Sequence, residues 1–276
     1  MANVLITGCS SGFGLLMALK FARAGDRVVA TMRQPANAPA ELTGPIVTEK
    51  LPITIDRLDI CNPIAVAAAV EQAGQVDVLI NNAGIELRSS IEDAEDADIE
   101  KQFATNVLGT VRLIRAVLPQ MRKRRAGTIV TLSSLAGIVA RPYGGFYSAS
   151  KHAIEAIVEA LHFEVQQFGI RVVLVEPGQY ATRLLDNAFK GAHFTPDSPY
   201  WETSNRFDRA LEKLHPDGKL GDPQEVADLV YKIANDPSPK LRYLAGEDAR
   251  TIAAAYRSME FEAFEQMSRQ MLEWKD

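Results

Sequence analysis

Short apolar runs alternating with longer amphipathic stretches constrain this chain more than any other feature. Runs rich in Val, Ile and Leu fall at 4–7, 27–31, 53–58, 76–81, 127–133, 171–176 and 241–244. Helical patterns lie between them at 13–24, 63–73, 99–122, 146–168 and 223–234. Strands joined through helices line up parallel, and the helices cover both faces of the sheet. The run Val172-Val173-Leu174-Val175 shows no polar alternation, as expected of a strand buried on both sides. The expected fold is α/β: a single Rossmann-type, doubly wound parallel sheet of about seven strands with helices on both faces. No repeat, low-complexity tract or linker interrupts the 276 residues, so 1–276 reads as one catalytic domain. Two stretches break the rhythm. Residues 183–221 are mixed and aromatic and read as a mobile lid, whereas 248–275 reads as one long C-terminal helix.

Composition narrows the partners. The net charge of −5 argues against nucleic acid. Cys9 and Cys61 stand in no metal-ligand spacing, and the four histidines, His152 and His162 among them, show none either, so no metal site is expected. No apolar run approaches the ~20 residues of a membrane span. The chain opens directly on a strand-like run with no signal segment, and a soluble, cytoplasmic protein is the expectation.

The first strand ends in Thr7-Gly8-Cys9-Ser10-Ser11-Gly12-Phe13-Gly14, and a helix follows. Glycines there let the backbone turn tightly and approach a pyrophosphate on the helix N-terminus. A plain strand-to-helix connection has the same look. After the second strand the chain reads Ala30-Thr31-Met32-Arg33-Gln34, with no acid to hold a ribose 2′-hydroxyl. Arg33 instead suits a 2′-phosphate, helped by the Ser10 and Ser11 hydroxyls, unless it is only a solvated surface residue. NADP(H) is therefore favoured over NAD(H). Asp59, before Ile60, either accepts from the adenine amino group or opens a turn, with Asn62 capping the helix that Pro63 begins. Asn81-Asn82-Ala83-Gly84 ends the fourth strand, where open α/β sheets bind ligands, although it is equally an ordinary Asn-rich turn.

Tyr147 and Lys151 stand four residues apart, on one face of a helix. A Lys ammonium beside a phenol favours the phenolate, which fits Tyr for proton transfer near neutral pH. Ser134 closes the fifth strand, either to hold a substrate oxygen opposite Tyr147 or as a turn former. Asn106 sits inside a helical pattern, where Asn is mediocre. It either marks an irregularity that orders a water near Lys151 or is simply exposed.

Taken in order, these residues resemble the short-chain dehydrogenases/reductases over residues 3 to about 182. The matching motifs are Thr7-Gly8-xxx-Gly12-x-Gly14, Asn81-Asn82-Ala83-Gly84, Asn106, Ser134, Tyr147-xxx-Lys151 and Pro177-Gly178-xxx-Thr182. The glycine turn together with Ala30-Thr31-Met32-Arg33 looks most like the hydroxysteroid and retinol dehydrogenase branch. The resemblance implies a nicotinamide cofactor and a tetrad of Asn106, Ser134, Tyr147 and Lys151. It makes Tyr147 the acid/base, has Ser134 orient the substrate oxygen and Lys151 bind the nicotinamide ribose, and gives Asn106 a relay water. It also brings Phe13, Ile60, Pro177, Gly178, Tyr180 and Thr182 to the cofactor. Tyr180 departs from the aliphatic residue common there.

The expected activity is NADP(H)-dependent interconversion of an alcohol and its ketone or aldehyde. An NAD-preferring enzyme and a non-catalytic cofactor sensor are the alternatives, and the intact tetrad disfavours the sensor. A sugar-nucleotide epimerase also uses Tyr-xxx-Lys but with different glycine spacing. Phe189, Phe194, Tyr200, Trp201 and Phe207 in the lid suit a bulky apolar substrate. The tail has three possible uses: covering the pocket, packing on the domain or meeting a membrane surface, with packing the default. Surplus apolar residues on the 146–168 helix predict a homodimer or homotetramer.

Overall fold

The computed structural model describes residues 1–182, 188–213, 220–272 and 274. Nine strands occur among them: β1 (Asn3–Thr7), β2 (Arg27–Met32), β3 (Ile53–Arg57), β4 (Val78–Asn81), β5 (Leu87–Arg88), β6 (Gly127–Leu132), β7 (Ile170–Pro177), β8 (Phe189–Lys190) and β9 (Arg242–Ala245). Seven form one parallel sheet in the order β3-β2-β1-β4-β6-β7-β9. The order reverses between β1 and β4, where Val4 faces Val28 on one side and Val78 on the other. The expected Rossmann-type α/β fold is the observed one.

Strand period 2 divides the core. Val4, Ile6, Ile80, Val130 and Val173 meet α1 (Gly12–Arg23) and α8 (Pro223–Ala234) through Met17, Phe21, Val230 and Ile233. The alternate residues Leu5, Leu79, Ile129 and Val172 meet α3 (Pro63–Ala73), α5 (Thr110–Arg124) and α6 (Gly145–Val165). Local chemistry starts the helices. Asn62 accepts from the Ile64 and Ala65 amides at 2.9 and 3.1 Å, with Pro63 in the first turn of α3. Asp222 accepts from Gln224 in the same way at α8.

The structure corrects several element boundaries. The helix expected at 99–122 is α4 (Asp96–Phe103), a π-helical turn (Ala104–Gly109) and α5. The Ile60 side chain presses on that turn: a Cβ on Gly109 would stand 2.7 Å from it. The helix expected over 248–275 is two, α9 (Glu247–Ser258) and α10 (Phe261–Met271), separated by extended backbone at Met259 and Glu260. The bend brings Tyr256 and Phe264 edge to face at 5.1 Å, and Phe264 is buried. α2 (Ala40–Thr48) was not expected, because Gly44 and Pro45 read as loop residues; buried Leu42 anchors it. In the lid, β8 pairs parallel with β5, and α7 (Trp201–Lys213) follows. Residues 183–187 and 214–219 of the lid lie outside the described residues.

Candidate functional site

A cavity of about 910 Å³ opens along the carboxyl ends of β1, β2, β4, β6 and β7, at the reversal of strand order. One half is lined by the glycine turn, Arg33, Asp59, Ile60, Ala83 and Gly84, the other by Ser134, Tyr147, Lys151 and Phe207.

The glycines of the first turn have different reasons to be glycine. Gly8 and Gly12 hold positive φ, at +74° and +54°. At Gly14 a Cβ would stand 2.3 Å from the Gly8 carbonyl oxygen, so α1 can start that close to β1 only without a side chain. Ser11 begins α1 with no side-chain cap, which leaves its first amides facing the cavity. Thr182 lies against Gly12 and closes the turn. Arg33 is exposed at the cavity edge and has no ion pair with any described residue. An uncapped helix start, glycine backbone and an unspent guanidinium fit a phosphorylated dinucleotide.

Other predicted contacts turn out to brace the site. Asn82 donates to the Thr7 and Gly8 carbonyls at 2.8 and 3.2 Å, tying the end of β4 to the turn. The Asp59 carboxylate accepts from the Cys61 amide at 2.9 Å while also lining the cavity. Tyr180 stands edge-on to Phe13 at 5.5 Å and its hydroxyl reaches Glu225; burial first, then Glu225, pushes it up to about 12. Pro177 ends β7, and Gly178 leaves room for Asp248, whose carboxylate accepts from the Gln179 amide at 2.7 Å.

At the other end, Ser134 starts a short 3₁₀ turn, its oxygen accepting from the Ala136 amide at 3.1 Å. Its hydroxyl shares the cavity wall with the Tyr147 phenol and lies near enough to lower that group's pKa. Tyr147 is buried, and burial raises its pKa above the ordinary value, while the Ser134 bond and the Arg141 charge pull it down. Lys151, the cation expected beside Tyr147, is joined by a second, Arg141. Lys151 Nζ donates to the Leu132 carbonyl at 2.7 Å and stands 5.7 Å from the Tyr147 ring centroid. Burial lowers Lys151 to about 8, against the pull of Glu155.

Asn106 is in the π-helical turn, 3% exposed, and not on the cavity wall. Its Oδ1 accepts from the Ile85 amide, and its Nδ2 donates to the Ile85 carbonyl, all at 2.9 Å, and to Ser150 at 3.1 Å. Its side chain therefore fixes the segment after β4 to α6 rather than reaching towards Lys151.

Sequence reasoning missed four charged residues at the substrate end. Glu86, 2% exposed, pairs with Arg141, and Arg88 pairs with Asp208 of α7. All four line the cavity, yet no local pattern announces pairs so far apart in the chain. It also missed the roof. Phe264, Met267, Met271 and Leu272 line the cavity together with Val139, Phe207 and Leu211. Trp274 stacks on Tyr143 and meets Phe207 edge-on at 6.1 Å. Of the tail's three possible uses, covering the cavity is the one the geometry gives. Of the lid aromatics, Phe207 faces the cavity, whereas Phe194 packs between Tyr143 and Trp201. No helix among the described residues is long and apolar enough to cross a membrane.

Comparison with known proteins gives a family match over residues 2–192, to the short chain dehydrogenases. The chain is 36% identical to a 3-ketodihydrosphingosine reductase of Bacteroides thetaiotaomicron, covering 92% of this chain and 91% of that protein. It is 41% identical to retinol dehydrogenase 8 of Homo sapiens, covering 87% and 80%. Among solved structures, a short-chain dehydrogenase from Streptomyces avermitilis matches with a TM-score of 0.80 at 32% identity, covering 98% and 99%. ElxO with NADP bound matches at 0.75 and 27% identity, covering 91% and 100%. A family member from Burkholderia phymatum in complex with NAD matches at 0.78 and 25%, covering 96% and 94%.

Proposed function

This chain belongs to the short-chain dehydrogenases, oxidoreductases that act on CH–OH groups with a nicotinamide dinucleotide, and on that footing we propose that it is an NADP(H)-dependent enzyme interconverting a bulky, apolar alcohol and its ketone or aldehyde. The observation that carries the reading is the Ser134–Tyr147 pair, set in the same cavity as the glycine turn.

The bound dinucleotide supplies or accepts the hydride. The amides at the start of α1 would hold its phosphates, Arg33 with Ser10 and Ser11 would hold the 2′-phosphate, and Pro177, Gly178, Tyr180 and Thr182 would flank it from the same cavity wall. In reduction, Tyr147 gives its phenolic proton to the carbonyl oxygen, while Ser134 donates a hydrogen bond to that oxygen and orients it. In oxidation, Tyr147 takes the proton back. Arg141 and Lys151 stabilise the phenolate, and burial keeps competing water away.

The substrate class follows from the walls. Val139, Phe207, Leu211, Phe264, Met267 and Met271 give the chamber an apolar lining. The names of the relatives, a ketodihydrosphingosine reductase and a retinol dehydrogenase, agree with an apolar substrate. Ile157, Phe163 and Leu108 stay 37%, 70% and 49% exposed, which supports a homo-oligomer formed through α6 and its neighbour.

The test is cofactor absorbance with NADPH and NADH against a panel of ketones, aldehydes and alcohols of graded chain length. NADPH-dependent turnover that rises with apolar size is the expected result. Cofactor binding without turnover on any of them would point to the sensor instead.

A further inference from the structure

The face of α6 that carries Tyr147 and Lys151 continues at the same spacing through Glu155 and Glu159. Lys151 and Glu155 are 8% and 7% exposed, and Glu176 of β7 is 1% exposed. One guanidinium serves three carboxylates. Arg242 Nε stands 2.9 Å from Glu155 and 3.5 Å from Glu176, and its Nη2 pairs with Glu159. With both buried carboxyls ionised, Glu155 Oε1 and Glu176 Oε1 have no hydrogen-bond donor. A proton on one of them would supply the donor that the pair lacks. Two carboxylates in one low-dielectric site cannot both ionise cheaply. Burial first, and then Glu155, accordingly raises Glu176 to about 7, while Arg242 and Arg257 of α9 pull the other way.

A third orphan adjoins the pair. The Ser133 hydroxyl is buried without a partner. A Cβ on Gly137 would stand 2.7 Å from that oxygen, 3.1 Å from Glu155 Cγ and 3.4 Å from Lys151 Cβ. The missing side chain of Gly137 thus gathers Ser133, Glu155 and Lys151 around one point.

We propose that Glu155 and Glu176 form a counter-charge for Lys151 that strengthens as pH rises. Below neutrality the pair holds one proton and one negative charge. Above neutrality it releases that proton to solvent, and a second negative charge appears behind Lys151 as the ammonium nears its own loss of charge. Lys151 of α6 faces the pair through Glu155, Arg242 of β9 faces both carboxyls, Arg257 of α9 acts on Glu176, and Glu159 of α6 is paired with the same Arg242. Neither glutamate lines the cavity, so both are positioning residues that act through Lys151.

The inference rests on the Tyr147–Lys151 reading above, and its test separates the two. The pH profile of kcat/KM is measured for wild type, Glu176→Gln and the double variant Glu155→Gln/Glu176→Gln. The alkaline limb should move down by about one pH unit in the double variant and by less in Glu176→Gln. Carboxyl ¹³C NMR of the whole protein should show a carboxyl that titrates near neutrality in wild type and is missing in Glu176→Gln, a readout that needs no turnover. An unmoved alkaline limb in Glu176→Gln, or no carboxyl titrating near neutrality, overturns the proposal. If the double variant does not fold, the single variant decides. Full turnover by Tyr147→Phe would instead remove the underlying mechanism while leaving the carboxyl titration readable.

Discussion

At the scale of single residues, Tyr147 and Arg33 carry the sharpest expectations. Tyr147→Phe should keep the fold and cofactor affinity and lose at least ~100-fold in kcat, because it removes the acid/base proton. Stopped-flow turnover beside fluorescence titration of NADPH checks both halves. Arg33→Ala should raise KM for NADPH by roughly 10- to 100-fold and leave NADH almost unchanged, the scale of a lost charged hydrogen bond. That Tyr147, Lys151 and Ser134 share one cavity wall was legible in the sequence because a helical spacing and a strand end are local features. Arg141 was not: its charge matters to Tyr147 only once the loop before α6 folds back beside Glu86. Asn82 and Asn106 were legible as positions, and Asn106 as a helix irregularity, but the bonds their amides make were not. Their amides are spent on the carbonyls of Thr7, Gly8 and Ile85, and only the folded backbone presents those carbonyls.

At the scale of elements, the glycine turn and the tail pair are the parts to perturb. Gly14→Ala should lower both stability and dinucleotide affinity, since its Cβ meets the Gly8 carbonyl oxygen at 2.3 Å and α1 must retreat from β1. Thermal melts with and without NADPH report the two losses separately. Deleting residues 260–276 should leave NADPH binding intact and raise KM for a long-chain ketone far more than for a small soluble one, because α10 forms the apolar roof. Parallel kinetics with the two substrates tests this. The sequence supplied the tail's helical stripe. It did not show the bend at Met259, because neither Gly nor Pro marks it and the turn is fixed by Tyr256 meeting Phe264. α2 was hidden for the opposite reason: Gly44 and Pro45 suggest a break, but burying Leu42 outweighs that local preference.

At the scale of the whole molecule, two buried groups shape stability against pH. Glu176 is raised to about 7 in the fold, so the folded state keeps a proton that the unfolded chain gives up from its ordinary 4.5. Stability therefore falls as pH rises across that window. Lys151 is lowered to about 8 from 10.5, so the folded state sheds its proton earlier and stability recovers as pH rises between those values. Urea titrations should find a trough near pH 7–8, and Glu176→Gln should flatten its acidic side. Light scattering at micromolar concentration should give the mass of a dimer or tetramer, with Phe163→Glu moving it towards the monomer. The parallel sheet was legible in full, since its apolar runs and intervening helices leave little freedom of topology.

The roof of the substrate chamber has a consequence in time as well as in space. The residues that line the dinucleotide half of the cavity have all been added to the chain once Thr182 is made, whereas Phe207, Phe264, Met267 and Met271 are added later. A growing chain thus carries its dinucleotide-side residues before the apolar roof of the substrate chamber. A copy cut short before the roof therefore lacks the walls that would select a long apolar reactant from a small one.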